Sequence, residues 1–190
     1  MNTKTLLLAI IAMLFTCSIK TYAQSQGSDK KNLIVYYSWS NSGNTRNMAE
    51  KIKTETGADI FEIVPVKAYP RDYQACVDQA KTEINNKFKP EIKGEVTDFD
   101  SYDIIFVGSP NWWSTIAPPV ATFLTSYNFS GKTIIPFMTH EGTRMGHSEK
   151  DIKDLCPEAT VLKGLPVRGG SVNNATPDIQ KWLKDLGIIK

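Results

Sequence analysis

Ser38-Trp39-Ser40-Asn41-Ser42-Gly43-Asn44-Thr45 directly follows the apolar run Leu33-Ile34-Val35-Tyr36-Tyr37, and a helical pattern starts directly after it. The order is strand, hydroxyl-rich turn, helix. Backbone N–H groups at a helix start have no partner within the helix and carry the positive end of its dipole. Ser and Thr hydroxyls add further donors. Such a turn suits a phosphate monoester held without a positive side chain. The same residue types also serve as ordinary helix caps, so the turn acquires chemical meaning only together with other loops. It lacks both the Gly-rich dinucleotide pattern and the lysine of an ATP or GTP phosphate loop. Gly43 is its only glycine, and Ser40, Ser42, Asn44 and Thr45 are its side-chain donors.

Outward from the turn, apolar runs alternate with helical periodicity. Leu33 to Tyr37 is too continuous for a strand with one wet face and fits a central parallel strand. Met48, Ala49 and Ile52 mark one side of a helix ending near Gly57. Ile60, Phe61, Ile63 and Val64 make a second strand. Tyr73, Val77, Ala80, Ile84 and Phe88 recur at helical spacing, which predicts a buried stripe. Ile104 to Val107 is a third strand ended by Gly108-Ser109-Pro110, and Pro118-Pro119 open a helix lined by Val120, Phe123, Leu124 and Tyr127. Ile134 to Met138 is a fourth strand, in which Pro136 removes a ladder donor. A short helix over 148–155, a fifth strand from Val161 to Leu165 and a last helix after Thr176-Pro177-Asp178 complete the pattern. Strands alternating with helices imply a parallel sheet covered on both faces. A ligand is then expected at the carboxyl ends of the strands, where strand order reverses.

The N-terminal stretch reads differently. Lys4 precedes an apolar run from Leu6 to Phe15, and Thr21-Tyr22-Ala23 is a small-x-small exit. Residues 1–23 are expected to be a secretory signal peptide, 24–31 a polar tether and 32–190 one domain. Cys17 offers a second route, a lipid anchor, through a poor lipoprotein box at 14–17. Either route places the protein in the periplasm or cell envelope. The run is too short for a stable membrane span. The chain carries 22 Lys and Arg against 20 Asp and Glu, and without Lys4 and Lys20 the balance is even, so nucleic acid is not an expected partner. Cys76 and Cys156 either pair or remain separate thiols.

Two further loops carry candidate chemistry. Ser109-Pro110-Asn111-Trp112-Trp113-Ser114-Thr115 places adjacent tryptophans after a strand end, where one should face outward and can cover a flat ring. A lid or a protein-contact patch is the plainer alternative. Thr139-His140-Glu141-Gly142-Thr143-Arg144-Met145-Gly146-His147-Ser148 brings glycines that let backbone approach a ligand. His140 with Glu141 fits a proton-donor site. His140 and His147 lack a third ligand, so no metal is expected. No nucleophile-elbow pattern supports hydrolysis.

Taken together, these loops resemble those of flavodoxin-like proteins that bind FMN, and the resemblance runs from Leu33 to Leu186. It implies an α/β three-layer sandwich with a five-stranded parallel sheet in the order 2-1-3-4-5. It implies that Ser40, Ser42, Asn44 and Thr45 contact the FMN phosphate with Gly43 at the turn. It further implies that Pro110, Asn111, Trp112 and Trp113 flank the flavin, with Trp112 as the stacking aromatic. Thr139, His140, Glu141 and Gly142 would border the ring and ribityl chain. The implied function is an FMN-binding electron-transfer flavoprotein working with a redox partner protein. One alternative is an FMN-dependent NAD(P)H or quinone reductase, in which His140, Glu141 and Arg144 orient a small quinone-like acceptor. Another is a non-redox envelope protein that uses the tryptophans for contact. Two departures stand out. Many flavodoxins are strongly acidic, and this chain is not. Trp113 also stands where relatives often carry a glycine, and a non-glycine is expected to resist a positive φ by about 1 kcal/mol or more.

Overall fold

The computed structural model describes residues 31–190. The expected leader, Cys17 and nearly all of the tether lie outside the described residues.

Strand β1 (Asn32–Tyr36) is the apolar run before the turn, and Leu33, Ile34 and Val35 are buried on both sides of it. It pairs in parallel with β2 (Asp59–Glu62) on one edge and with β5 (Ile104–Trp112) on the other, so Val35 lies between Phe61 and Val107. Strand β5 pairs in turn with β7 (Thr133–His140) from Ile104↔Thr133 through Pro110↔Thr139. Beyond β7 lie β8 (Thr160–Val161) and β9 (Leu165–Arg168), also parallel to it. With β8 and β9 sharing one position, this is the five-stranded parallel sheet in the expected order 2-1-3-4-5.

Alternate residues of each strand feed opposite faces. On one face, Leu33, Val35, Ile105, Val107 and Ile134 pack with helices α2 (Tyr73–Asn85), α3 (Pro118–Ser126) and α4 (Ser148–Leu155). On the other, Ile34, Phe106, Ile135 and Phe137 pack with α1 (Asn44–Thr56) and α5 (Thr176–Asp185). Helix α1 begins after Gly43 at φ 63° and ends at Gly57 at φ 68°, whose N–H caps the carbonyl of Lys53 at 2.8 Å. Glycine takes this left-handed conformation without a Cβ clash.

Four sequence expectations need correction. The third strand does not end at Gly108. It continues to Trp112 and turns back as an antiparallel hairpin with β6 (Thr115–Ile116), because β7 runs long enough to pair it as far as Pro110. The second strand breaks at Ile63, after which β3 (Val64–Pro65) pairs antiparallel with β4 (Ile92–Lys93). The α2 stripe is shallower than expected. Only Cys76 and Ala80 are buried, while Tyr73 and Phe88 are exposed. The fifth strand is split, and Pro136 explains the break. Ile134 pairs with Val161 and Phe137 with Leu165, so the fifth strand carries one residue more than β7 over that interval. The carbonyl of Ile134 accepts from Leu162 N–H at 2.9 Å, so Pro136, two residues on, faces the same edge without an N–H to give. The extra residue falls where the ladder has no donor, as in a β-bulge.

Close approach between β5 and β7 depends on Gly108. A Cβ there would overlap the ring of Phe137, which is fully buried and has no room to swing away. Gly108→Ala is therefore expected to cost about 1–3 kcal/mol through overpacking. Gly170→Ala, where a Cβ meets open space, should change stability by less than about 0.5 kcal/mol. Urea unfolding midpoints of the two variants check the contrast.

Candidate functional site

The carboxyl ends of β1, β5 and β7 open into one cavity of about 670 Å³. The first wall is the turn before α1. Ser40 and Asn44 line the cavity. Ser42 is exposed and does not line the cavity; its hydroxyl donates to Asn44 Oδ1 at 2.8 Å and lies 3.2 Å from Ser40 Oγ. The N–H of Asn44 donates to Ser40 Oγ at 3.2 Å, and that of Gly43 to the Ser40 carbonyl at 2.9 Å. The turn is thus organised by its own short polar side chains. The first turn of α1 contains no acidic residue, so no side chain of that turn cancels the positive end of its dipole.

Thr45 does not line the cavity. It is buried, and its hydroxyl bonds that of Thr139 at 2.8 Å. This contact ties the first turn to the end of β7. Thr139, His140, Glu141 and Gly142 all line the cavity from that side. Gly169, just after β9, completes the enclosure. A Cβ there would strike the Glu141 carboxylate and would lie 2.6 Å from Asn44 Nδ2. Its absence lets three loops meet. The Glu141 carboxylate is 3.5 Å from Arg168 Nε, which offsets its charge.

Two buried polar atoms of cavity-lining residues have no protein partner: Nδ1 of His140 and Oδ1 of Asn111. Leaving such an atom unmatched costs about 1–3 kcal/mol, and both atoms are covered by protein rather than open to the cavity. Burial, aided by the nearby charge of Arg144, holds the His140 imidazole below its ordinary pKa. His140 is therefore neutral at pH 7, and one of its ring nitrogens accepts while the other donates.

The hairpin joining β5 and β6 forms the third wall, with Pro110, Asn111, Trp112 and Trp113 all at the cavity. Trp112 is held edge-on by neighbouring rings. Tyr69 lies at a centroid distance of 4.9 Å, Tyr37 at 5.6 Å and Trp39 at 6.2 Å, with interplanar angles of 68°, 87° and 78°. Trp39 is itself fixed by its indole N–H to the Pro70 carbonyl at 3.0 Å. Burial raises the phenol pKa values of Tyr37 and Tyr69, so the cluster is uncharged.

Trp113 already occupies the conformation that a non-glycine was expected to resist. Its φ is 52° and that of Ser114 is 69°. Two positive-φ residues between the paired Trp112 and Thr115 make a two-residue hairpin loop of the primed type. The tip is clamped from outside. The Ser114 carbonyl accepts from His147 N–H at 2.8 Å, and Asn111 Nδ2 donates to the Arg144 carbonyl at 2.8 Å. Gly146 leaves room for Ser114, whose backbone a Cβ would strike.

A family model described as flavodoxin matches residues 31–186. This chain belongs to the flavodoxin family. Among solved structures it is similar to a protein of Bacteroides eggerthii described as a flavoprotein, with 28% identity over 84% of this chain and 99% of that one and a TM-score of 0.74. A counterpart from Bacteroides uniformis gives 27% identity, coverage of 82% and 98%, and a TM-score of 0.71. A Lactobacillus acidophilus flavoprotein, solved in complex with FMN, is 32% identical over 76% of this chain and 97% of that one, with a TM-score of 0.62. No curated protein matches.

Sequence reasoning did not place Trp39 or any residue of α2 at the site, yet Trp39, Tyr73, Cys76, Val77 and Ala80 all line the cavity. Tyr73, Val77 and Ala80 have the period of a core stripe, which hides a cavity wall from pattern analysis. The Gly169-Gly170 pair was a usable signal for close approach. Cys76 and Cys156 are separate free thiols, both buried.

The strained hairpin tip gives a direct test. Ser114→Gly removes a Cβ from a left-handed residue whose side chain makes no hydrogen bond among the described residues. It is expected to stabilise the protein by about 1 kcal/mol, or about 2–4 °C in thermal unfolding for a chain of this size. Ser114→Val should lower the melting temperature instead.

Proposed function

We propose that this protein binds FMN in the cavity and acts as an electron-transfer flavoprotein. The observation that carries the reading is the convergence of an uncharged, donor-rich turn, the end of β7 and the tryptophan hairpin on one cavity walled by Trp112. The residues fit the group. Ser40, Ser42 and Asn44 would hold the phosphate together with the open N–H groups at the start of α1, and Gly43 permits the turn. Thr45 would act through its bond to Thr139, keeping the phosphate end and the ring end in register. Pro110, Asn111 and Trp112 would flank the ring, while Thr139, His140, Glu141 and Gly142 would border its polar edge. The FMN-bound Lactobacillus relative supports the choice of cofactor.

Bound there, FMN supplies the redox chemistry. The chain's own contribution is to position and to exclude water. Trp112, fixed by three neighbouring rings, presents a rigid apolar wall. Neutral His140 offers either a donor or an acceptor nitrogen without adding charge. The balanced charge of the chain argues against a partner chosen by a strongly basic docking face. The leader read from residues 1–23 supports work outside the cytoplasm, which fractionation of the producing cell would check.

The decisive measurement compares FMN with riboflavin, which lacks the phosphate. The purified protein should bind FMN tightly enough to be yellow. In Ser40→Ala/Ser42→Ala, FMN affinity should fall about 10–100-fold, the range for hydrogen bonds to a charged group, with riboflavin affinity nearly unchanged. Equal losses for both ligands would show a collapsed turn, and a protein that takes up neither would end the reading.

A further inference from the structure

A second cavity, of about 440 Å³, lies at the edge of the sheet between α4 and residues 160–163. Three lysines line it, Lys150, Lys153 and Lys163, against one acid, Glu149. Glu149 is already engaged, since its Oε1 accepts from Gly164 N–H at 2.7 Å. Lys150 pairs with Asp154 on α4, and Lys153 donates to the Ala159 carbonyl. Neither Lys153 nor Lys163 pairs with a carboxylate among the described residues. In a chain whose formal net charge is only +2, this groove is a local concentration of positive charge.

One side of the groove is an open strand edge. Strand β8 is last in the sheet, and no strand pairs with its outer side among the described residues. Its inner side is used: the N–H groups of Thr160 and Leu162 donate to the carbonyls of Lys132 and Ile134, each at 2.9 Å. The N–H and C=O of Val161, between them, therefore point outward, as backbone groups of an edge strand do. The Val161 side chain packs on the α4 face of the sheet and that of Leu162 on the opposite face. A strand laid along this edge would have the lysines beside one set of its side chains and Leu162 beside the other. Lysine at an edge also discourages pairing between like copies. Two copies of this groove would set lysine against lysine, so a second copy of this chain is a poor occupant.

We propose that this groove docks an extended acidic segment of a partner protein, which adds a strand to the sheet beside β8. Backbone bonds to Val161 would hold the segment, and its alternate side chains would select it. Carboxylates on the α4 side would meet Lys153 and Lys163, while apolar residues between them would cover Leu162. Charge complementarity of this kind sets which partner is accepted. Docking there is independent of the FMN reading, because no residue lines both cavities.

The test titrates the protein with a fluorescent peptide of alternating glutamate and valine, and with its lysine–valine counterpart, at low and high salt. Saturable one-to-one binding of the acidic peptide is expected, weaker at high salt, with none for the basic one. In amide NMR spectra the Val161 resonance should shift, and its N–H should become protected from exchange. Lys163→Glu alters an exposed side chain, so folding is not at stake, and it should weaken binding about tenfold. Val161→Pro removes an N–H that the sheet does not use, which an edge strand tolerates, and it should weaken binding by a similar factor. FMN affinity should stay within about threefold in both variants. Should Val161→Pro fail to fold, the amide measurement on the unaltered protein still decides the backbone contact. Absence of saturable binding, binding that ignores Lys163→Glu, or an unshifted Val161 amide would each overturn the inference. Equally tight binding of inorganic polyphosphate would show a general anion surface and would overturn it too.

Discussion

Every feature of this site follows from a parallel sheet buried on both faces. Strands β1, β5 and β7 are central, so both sets of their side chains must be apolar, and no polar group can remain along their length without a costly unmatched bond. Polar residues are displaced to the strand ends. Because the strands are parallel, the carboxyl ends of all of them point the same way. The chain after β1 leads to one helix layer and that after β5 to the other, so a crevice opens between them. The Ser40–Thr45 turn, the tryptophan hairpin and the Thr139–Gly142 loop meet for that reason.

Within that crevice, rigidity comes from short-range satisfaction. The Thr45–Thr139 hydroxyl pair joins two loops that are distant in sequence, and it is buried, so the bond lies where an unmatched hydroxyl would be expensive. Around Trp112 the same role falls to ring–edge contacts with Tyr37, Trp39 and Tyr69. Buried polar atoms without a protein partner occur both in cavity-lining residues, His140 Nδ1 and Asn111 Oδ1, and away from the cavity, at Asn32, Ser38 and Ser148. A site whose loops are tied together by internal hydrogen bonds and ring contacts is already organised before binding. Less ordering is then needed when the ligand arrives.

The hairpin tip stores backbone strain at the cavity wall. Trp113 and Ser114 both sit at positive φ without being glycine. Their conformation is imposed by pairing of β5 with β6 and by the clamp from His147 and Arg144. Local preference opposes it, and tertiary contacts win. The result is an indole presented beside α2, which a relaxed turn would not place there.

The sequence alone determined the alternation of strands and helices and the hydroxyl-rich turn before α1, because these rest on local patterns, namely continuous apolar runs, helical period and a polar helix start, whereas the order 2-1-3-4-5 was implied by the family resemblance and is the order of the sheet. It located all three loops that meet at the cavity. It missed the wall from α2, since Tyr73, Val77 and Ala80 show the same period whether they face a core or a cavity. It also missed the split of the fifth strand, because the absent donor of Pro136 matters only once its neighbour is known. Which side of Trp113 faces solvent, which hydroxyl Thr45 meets and which atoms stay unmatched are properties of neighbours far apart along the chain. Pairwise contacts of that range are created by the packing of the sheet and its two helix layers, and no window of sequence contains them.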